Sequence, residues 1–197
     1  MKIILTSNGI SSEKVEGEFV RLIGGAHELK KKKVLVVRTT RKNPDEYGEE
    51  ILEELKRVGF NEKNISFVNP FKEEASKEFE KYDVLYSAGG NTFVILNELR
   101  KKGYDTLIKK MIKEGKVYLG VSAGTIFLQK SIKIAGIGKT ADENYIDLED
   151  LNGLGVIDFV VWPHYEKENE HDIKDYEKKN KIKVIRLKDG ECIVVDD

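Results

Sequence analysis

Short, continuously apolar segments alternate with longer amphipathic segments along most of this 197-residue chain. Segments such as VLVV, from Val34 to Val37, and VLYS, from Val84 to Ser87, are apolar at nearly every position. That pattern is typical of strands in a sheet that is covered on both faces. Strands that alternate with helical segments indicate βαβ units and a mostly parallel sheet. The sequence therefore predicts an α/β fold.

The individual elements follow from the periodicity of the apolar residues and from the capping residues. The predicted strands are Lys2–Thr6, Val34–Thr39, Ile65–Val68, Val84–Ser87, Val117–Val121, Val156–Val161, Lys183–Leu187 and Cys192–Val195. The predicted helices are Ser12–Gly24, Pro44–Val58, Lys72–Lys81, Asn91–Lys102, Tyr104–Glu114, Ser122–Lys130 and Glu166–Lys179. No repeat, low-complexity tract or linker divides the chain, so residues 1–197 are expected to form a single domain.

Composition narrows the class of protein. A formal net charge of −1 provides no general field for nucleic acid or an acidic membrane, and no apolar run approaches the length of a membrane helix. The single cysteine, Cys192, excludes an internal disulfide or a thiolate metal cluster. Glycine-rich segments at 136–140 and 153–155 lack the full spacing of nucleotide-binding loops. We therefore expect a cytoplasmic protein without cofactor or metal.

The segment GVSAG, residues 120–124, fits the G-x-S-x-G pattern of a nucleophile elbow. It follows a predicted strand and precedes a predicted helix, which is the context that this motif requires. The hydroxyl of Ser122 is then expected at the carboxyl end of the sheet, where ligands of α/β proteins bind. A tight strand-to-helix turn capped by a serine is the alternative explanation.

Two further segments also follow predicted strands and are expected at the same edge of the sheet. Ser7-Asn8-Gly9 follows the first strand, and Ala88-Gly89-Gly90-Asn91-Thr92 follows Val84–Ser87. The paired glycines allow backbone N–H groups to face a ligand, and Asn91 can cap the next helix. One amide from this segment and the amide of Ala123 are candidates for an oxyanion hole. We expect Asn8, Asn91, Thr92 and Asp142 to contact substrate.

A serine nucleophile requires a base, and the chain contains three histidines. His27 and His171 lie in charged surroundings that are typical of solvated surfaces. His164 directly follows an apolar strand, in VVWPHY, so it is the preferred base. The orienting carboxylate is less clear: Asp189, in a Lys-Asp-Gly turn, is preferred. The alternatives are Glu191, Asp142, Glu166 and Glu170.

Taken in order, four segments of the chain resemble the S51 serine peptidases, the peptidase E family. They are AGGNTF at 88–93, GVSAG at 120–124, GLG at 153–155 and Pro163-His164. The resemblance implies a three-layer α/β/α sandwich like that of class I glutamine amidotransferases. It also implies that Ser122 is the nucleophile, His164 the base, and Asp189 the third member of the triad. Gly90 and Ala123 are the implied oxyanion donors.

The resemblance implies a serine exopeptidase, expected to be a dipeptidase that acts on short peptides, including those with an N-terminal Asp. The resemblance also implies that an Arg about two helical turns after the histidine recognises that Asp side chain. The segment 166–183 contains lysines such as Lys167 and Lys174 but no Arg. A hydrolase of another amide, as in cyanophycinase or the amidotransferases, and a catalytically silent binding module are the alternatives. A monomer or small homo-oligomer is expected.

Overall fold

The computed structural model describes residues 1–38 and 44–197, with the side chains of 1–38 and 46–197. The strands are β1 (Lys2–Thr6), β2 (Val34–Val37), β3 (Ile65–Val68), β4 (Val84–Ser87), β5 (Val117–Val121), β6 (Val160–Trp162), β7 (Val184–Arg186) and β8 (Cys192–Asp196). The helices are α1 (Glu13–Ile23), α2 (Ala26–Leu29), α3 (Pro44–Val58), α4 (Thr92–Lys101), α5 (Tyr104–Lys113), α6 (Ala123–Ile126) and α7 (Glu170–Asn180). Short 3-10 turns lie at Glu62–Asn64, Lys77–Lys81, Lys133–Gly136 and Lys167–Asn169.

Six strands form one sheet in the order β3-β2-β4-β5-β1-β8. All neighbouring pairs are parallel except β1 and β8, which are antiparallel. Strands β6 and β7 form a separate parallel pair. Because Thr6 is aligned with Val121 and Ser87 with Gly120, the carboxyl ends of β1, β4 and β5 meet at one edge. That edge carries the segments singled out by the sequence.

The main sheet is covered on both faces. Within β1, Ile3 and Leu5 pack with α4, α5, α6, α7 and the β6–β7 pair, whereas Ile4 packs with α1, α2 and α3. This alternation follows from the period of two residues in a strand, and burial on both faces explains the continuous apolar runs. The predicted α/β/α sandwich with a mostly parallel sheet is confirmed. Among the described residues, no helix has the length and apolarity to cross a membrane.

Several predicted elements are wrong in extent. The segment 72–81 is helical only in the turn Lys77–Lys81, because the N–H of Ala75 donates to the carbonyl of Lys102 (2.8 Å) and draws the chain away from a helical path. The helix predicted to reach Lys130 ends at Ile126. The N–H groups of residues 154–157 donate hydrogen bonds to the carbonyls of residues 127–129. Residues 156–159 are therefore not part of β6, which begins at Val160. The predicted strand end at Thr39 lies outside the described residues.

A buried carboxylate connects α3 to the loop after β1. Glu54 accepts hydrogen bonds from the N–H of Ile10 (2.5 Å) and from the hydroxyl of Tyr86 (2.8 Å). Burial is the main cause that raises the pKa of Glu54 above its usual range; the two hydrogen bonds and nearby Arg57 act in the opposite direction. The contact holds the β1–α1 loop, which carries residues of the site described below.

The raised pKa of Glu54 predicts a specific pH dependence of stability. The folded protein binds the Glu54 proton more readily than the unfolded chain does, so stability falls as pH rises from the unfolded pKa through the raised folded pKa. Glu54→Gln removes this component. Urea unfolding of both proteins between about pH 4 and pH 8 tests it. Glu50→Gln, an exposed change on the same helix, should keep the wild-type slope; an unchanged slope in Glu54→Gln would contradict the prediction.

Candidate active site

Ser122 is held in a strained backbone conformation between β5 and α6. Its φ of 51° and ψ of −106° lie in a region that non-glycine residues rarely adopt. The N–H of Ser122 donates to the carbonyl of Thr6 (3.0 Å), and its own carbonyl accepts from the amides of Thr125 and Ile126. Strain of this kind costs about 1–3 kcal/mol and persists only where the surroundings enforce it.

The two glycines of the GVSAG segment are required by close backbone packing. A Cβ atom on Gly120 would lie 2.7 Å from the carbonyl oxygen of Gly124, and a Cβ atom on Gly124 would collide with the carbonyl of Ser87. The hydroxyl of buried Tyr118 donates to the Gly124 carbonyl (2.7 Å), and burial raises the pKa of Tyr118, which keeps the phenol protonated as a donor. The strand-to-helix turn is therefore packed too tightly for any side chain at these positions.

The loop after β4 lies directly beside Ser122. A Cβ atom on Gly89 would stand 3.1 Å from the Cβ and 3.8 Å from the Oγ of Ser122, and Gly90 has a φ of 143°. Neither the N–H of Gly90 nor that of Ala123 donates a hydrogen bond within the described part of the chain. Among the described residues these two amides therefore have no intramolecular partner; Ala123 directly follows the serine, and Gly90 follows Gly89, which packs against it.

Asn91 and Thr92 organise the start of α4. The side chain of Asn91 accepts from the N–H of Val94 (3.1 Å) and donates to the carbonyl of Glu143 (2.8 Å). The N–H of Thr92 donates to Asp142 (2.8 Å), while the Thr92 side chain is buried. These contacts fasten the loop around Asp142 to the first turn of α4.

His164 directly follows Trp162-Pro163 at the end of β6, with a φ of 54°. Its Nδ1 lies 2.8 Å from Oδ1 of Asp189. When Nδ1 carries the proton and donates it to the carboxylate, Nε2 is the basic nitrogen of the ring. The side chains of His164 and Asp189 are 44% and 56% exposed, so this pair is accessible from solvent.

Among the carboxylates considered from the sequence, Asp189 is the one that contacts His164. Glu170 is engaged by Arg186 (3.0 Å), and Asp142 accepts from Thr92. Glu191 accepts from the N–H of Lys188 (3.2 Å) within its own turn. The geometry thus distinguishes candidates that the sequence left open.

Ser7 links the two sheets beneath this pair. Its buried hydroxyl accepts from the N–H of His164 (2.9 Å) and donates to the carbonyl of Leu187 (3.0 Å). Because Ser7 directly follows β1, while His164 and Leu187 follow β6 and β7, one hydroxyl joins the ends of three strands. This contact sets the position of the histidine relative to the main sheet.

The same loop also holds the turn that carries Asp189. Asn8 accepts from the N–H of Gly190 (3.1 Å), and the hydroxyl of Ser12 donates to the carbonyl of Gly190 (2.7 Å). The β1–α1 loop therefore bonds directly to His164 and to Gly190, the residue that follows Asp189.

One cavity of about 370 Å³ brings the main candidates together. Ser122, His164, Asp189 and Asp142 line it. Its other lining residues are Ile126, Ile134, Ala135, Ile137, Thr140, Ala141, Trp162, Pro163, Tyr165, Glu166 and Asn169. Asn8, Asn91 and Thr92 are not among the lining residues, and their contacts are to the protein itself. Among the side chains of residues 1–38 and 46–197, no group of three His, Cys, Asp or Glu residues could hold a metal ion.

Sequence reasoning gave no role to Ser7 and none to the cavity residues Tyr165 and Asn169. The position of Ser7 at the end of the first strand was the one available signal, because that edge was expected to carry the site. Its bonds to His164 and Leu187 span more than 150 residues of sequence, so no local pattern reveals them.

The fold brings Ser122 and the His164–Asp189 pair to one cavity of a mostly parallel α/β protein, and comparison with known proteins identifies the family. The model of peptidase family S51 matches residues 3–197. The chain belongs to this family.

Individual relatives agree with this assignment. An uncharacterized peptidase of Listeria monocytogenes, Lmo0363, is 36% identical over 94 residues, which is 47% of this chain and 44% of the relative. Peptidase E of Salmonella arizonae is 30% identical over 121 residues, 61% of this chain and 49% of the relative. The matched segments thus span about half the length of these relatives. A crystal structure of a peptidase E-type protein from Listeria monocytogenes has a TM-score of 0.74 at 25% identity, covering 98% of this chain and 93% of that chain.

The packing around the elbow predicts that Gly124→Ala is destabilising. The new methyl group would collide with the carbonyl of Ser87, and overpacking of this kind costs about 1–3 kcal/mol. Gly17→Ala is the matched control: it lies inside α1 with open space around it and should stabilise by about 0.5–1 kcal/mol. Urea unfolding measures both. Equal effects of the two changes would contradict this account of the turn.

The hydrogen bonds of the Ser7 hydroxyl predict that Ser7→Ala destabilises the protein and increases the mobility of the His164 ring. Removal of the hydroxyl leaves the N–H of His164 without its acceptor and should cost about 1–3 kcal/mol. Ser66→Ala, on strand β3 at the far edge of the sheet, should change stability by less than about 0.5 kcal/mol. NMR of the His164 ring should show broadening or a shift in Ser7→Ala only. Unchanged ring resonances in that variant would show that Ser7 does not position the histidine.

Proposed function

We propose that this protein is a serine peptidase that cleaves short peptides, with Ser122 as nucleophile, His164 as general base and Asp189 as the orienting carboxylate. The observation that carries the proposal is the 2.8 Å contact between His164 and Asp189 on the wall of the cavity that Ser122 also lines. The strained backbone of Ser122 supports it, because such strain is concentrated at functional sites. Membership of peptidase family S51 supports it independently.

In this proposal His164 Nε2 takes the proton from Ser122 as the serine oxygen attacks the scissile carbonyl. Asp189 holds the ring in the required tautomer and stabilises the imidazolium that forms. The amides of Gly90 and Ala123 receive the negative charge of the tetrahedral intermediate. His164 then protonates the leaving amine, and water activated by His164 releases the acyl group from Ser122.

The size of the cavity supports exopeptidase activity, with dipeptides as the preferred substrates. A volume of about 370 Å³ is near the lower end for ligand pockets and suits a ligand of a few residues. Asn91 and Thr92 act in this proposal by holding Asp142 against the cavity, and Asn8 acts by holding the Asp189 turn. The single cysteine leaves no disulfide to maintain, which suits work in the reducing cytoplasm.

A fluorophosphonate probe followed by mass spectrometry tests the proposed nucleophile. The probe should label Ser122, and His164→Ala should slow labelling by at least about 100-fold, because a general base contributes 10²- to 10⁴-fold. Asp189→Asn should slow it as well, because the ring then loses its preferred tautomer. His171→Ala, a change at an exposed histidine on α7, should leave the labelling rate unchanged.

A panel of dipeptides and other small amides then tests the substrate class. Hydrolysis of dipeptides that is lost in Ser122→Ala supports the proposal. Labelling of Ser122 together with hydrolysis of other amides alone would indicate a different amide hydrolase. An unlabelled Ser122 with no hydrolysis would indicate a binding module and overturn the proposed reaction.

A further inference from the structure

The cavity that contains Ser122 has an acidic wall. Three carboxylates line it, those of Asp142, Glu166 and Asp189, and no Lys or Arg is present among its described lining residues. Asp189 is engaged by His164, so its charge belongs to the proposed catalytic pair. Asp142 and Glu166 remain as charges that the proposed reaction does not use.

Neither of these two carboxylates has a cationic partner in the described part of the chain. Oδ2 of Asp142 accepts one hydrogen bond, from the N–H of Thr92, and forms no ion pair. The side chain of Glu166 is exposed and also forms no ion pair. The wall therefore presents net negative charge to whatever occupies the cavity.

The first arginine that follows His164 in the sequence, Arg186, forms ion pairs outside the cavity. Arg186 contacts Glu177 (2.6 Å) and Glu170 (3.0 Å), and it does not line the cavity. Its guanidinium is the main cause that lowers the pKa of Glu177 to about 2, which marks a strong pairing. Arg186 is thus unavailable to neutralise the acidic wall or to bind an anionic substrate side chain.

We propose that this cavity selects short peptides with a Lys or Arg side chain and disfavours those with an Asp side chain. This inference rests on the proposed function, because it takes the cavity as the substrate site. Asp142 and Glu166 attract the cationic head group, while Ile134, Ile137 and Trp162 offer apolar surface for its aliphatic stem. An aspartyl side chain in the same place meets like charge.

Binding of dipeptides to Ser122→Ala tests this selection without requiring hydrolysis. Calorimetry compares Lys-Leu and Leu-Lys with Leu-Leu, Asp-Leu and Leu-Asp, which all share the free termini, so differences report the side chain. At least one Lys peptide should bind about three- to tenfold more tightly than Leu-Leu, and both Asp peptides should bind more weakly. The preference should shrink as salt is added, because salt screens these charges.

Neutral variants assign the effect to the two carboxylates. In the Ser122→Ala background, the double change Asp142→Asn and Glu166→Gln should remove the preference for Lys peptides. The matched control is Glu143→Gln with Glu168→Gln, which neutralises exposed neighbours outside the cavity lining and should retain the preference.

Three outcomes would overturn this inference: no binding of any Lys peptide, Asp peptides that bind as tightly as Lys peptides, or a preference that survives the double neutralisation. The proposed function is tested separately, by labelling of Ser122 and by hydrolysis with the wild-type protein. If the wild-type protein hydrolyses Asp dipeptides best and does so through Ser122, the proposed reaction is supported and the proposed preference for Lys and Arg side chains is contradicted.

Discussion

The buried hydroxyl of Ser7 joins two sheets that share no strand-to-strand hydrogen bonds. Ser122 directly follows β5 of the main sheet, whereas His164 lies just after β6 of the β6–β7 pair. The proposed triad therefore requires a fixed position of one sheet relative to the other. Ser7 provides that relation by accepting from His164 and donating to Leu187. The neighbouring contacts of Asn8 and Ser12 to Gly190 extend it to Asp189. One short loop thus aligns parts of the site that are distant in sequence.

Strain at Ser122 is maintained by packing rather than by local sequence preference. The positive-φ conformation of this serine is unfavourable by itself. It is enforced because α6 packs so closely against β4 and β5 that Gly120 and Gly124 leave no room for a Cβ atom. The bonds from Ser122 to Thr6 and from Tyr118 to Gly124 close the turn from both sides. A rigid turn of this kind presents a hydroxyl without the entropy cost of ordering a flexible loop.

The strands of the main sheet were predictable because strands buried on both faces have uninterrupted apolar sequences. The helices between them were predictable from their amphipathic periodicity. Prediction failed where backbone groups found partners far away, as in segment 72–81 and after Ile126, since such bonds leave no local periodicity. The same reason explains the site. Ser122 and His164 follow apolar strands and could be proposed from order alone, whereas the choice of Asp189 over Glu191 or Glu170 required the contact itself.

The sequence by itself determined the α/β class, the parallel sheet and the tight glycine-flanked turn at Ser122, because each follows from residue types within a few positions of one another. The tertiary structure decided which carboxylate meets His164, the linking role of Ser7 and the charge of the cavity wall. Those properties depend on distances between segments separated by up to about 180 residues, and hydrogen bonds and charges act through space rather than along the chain.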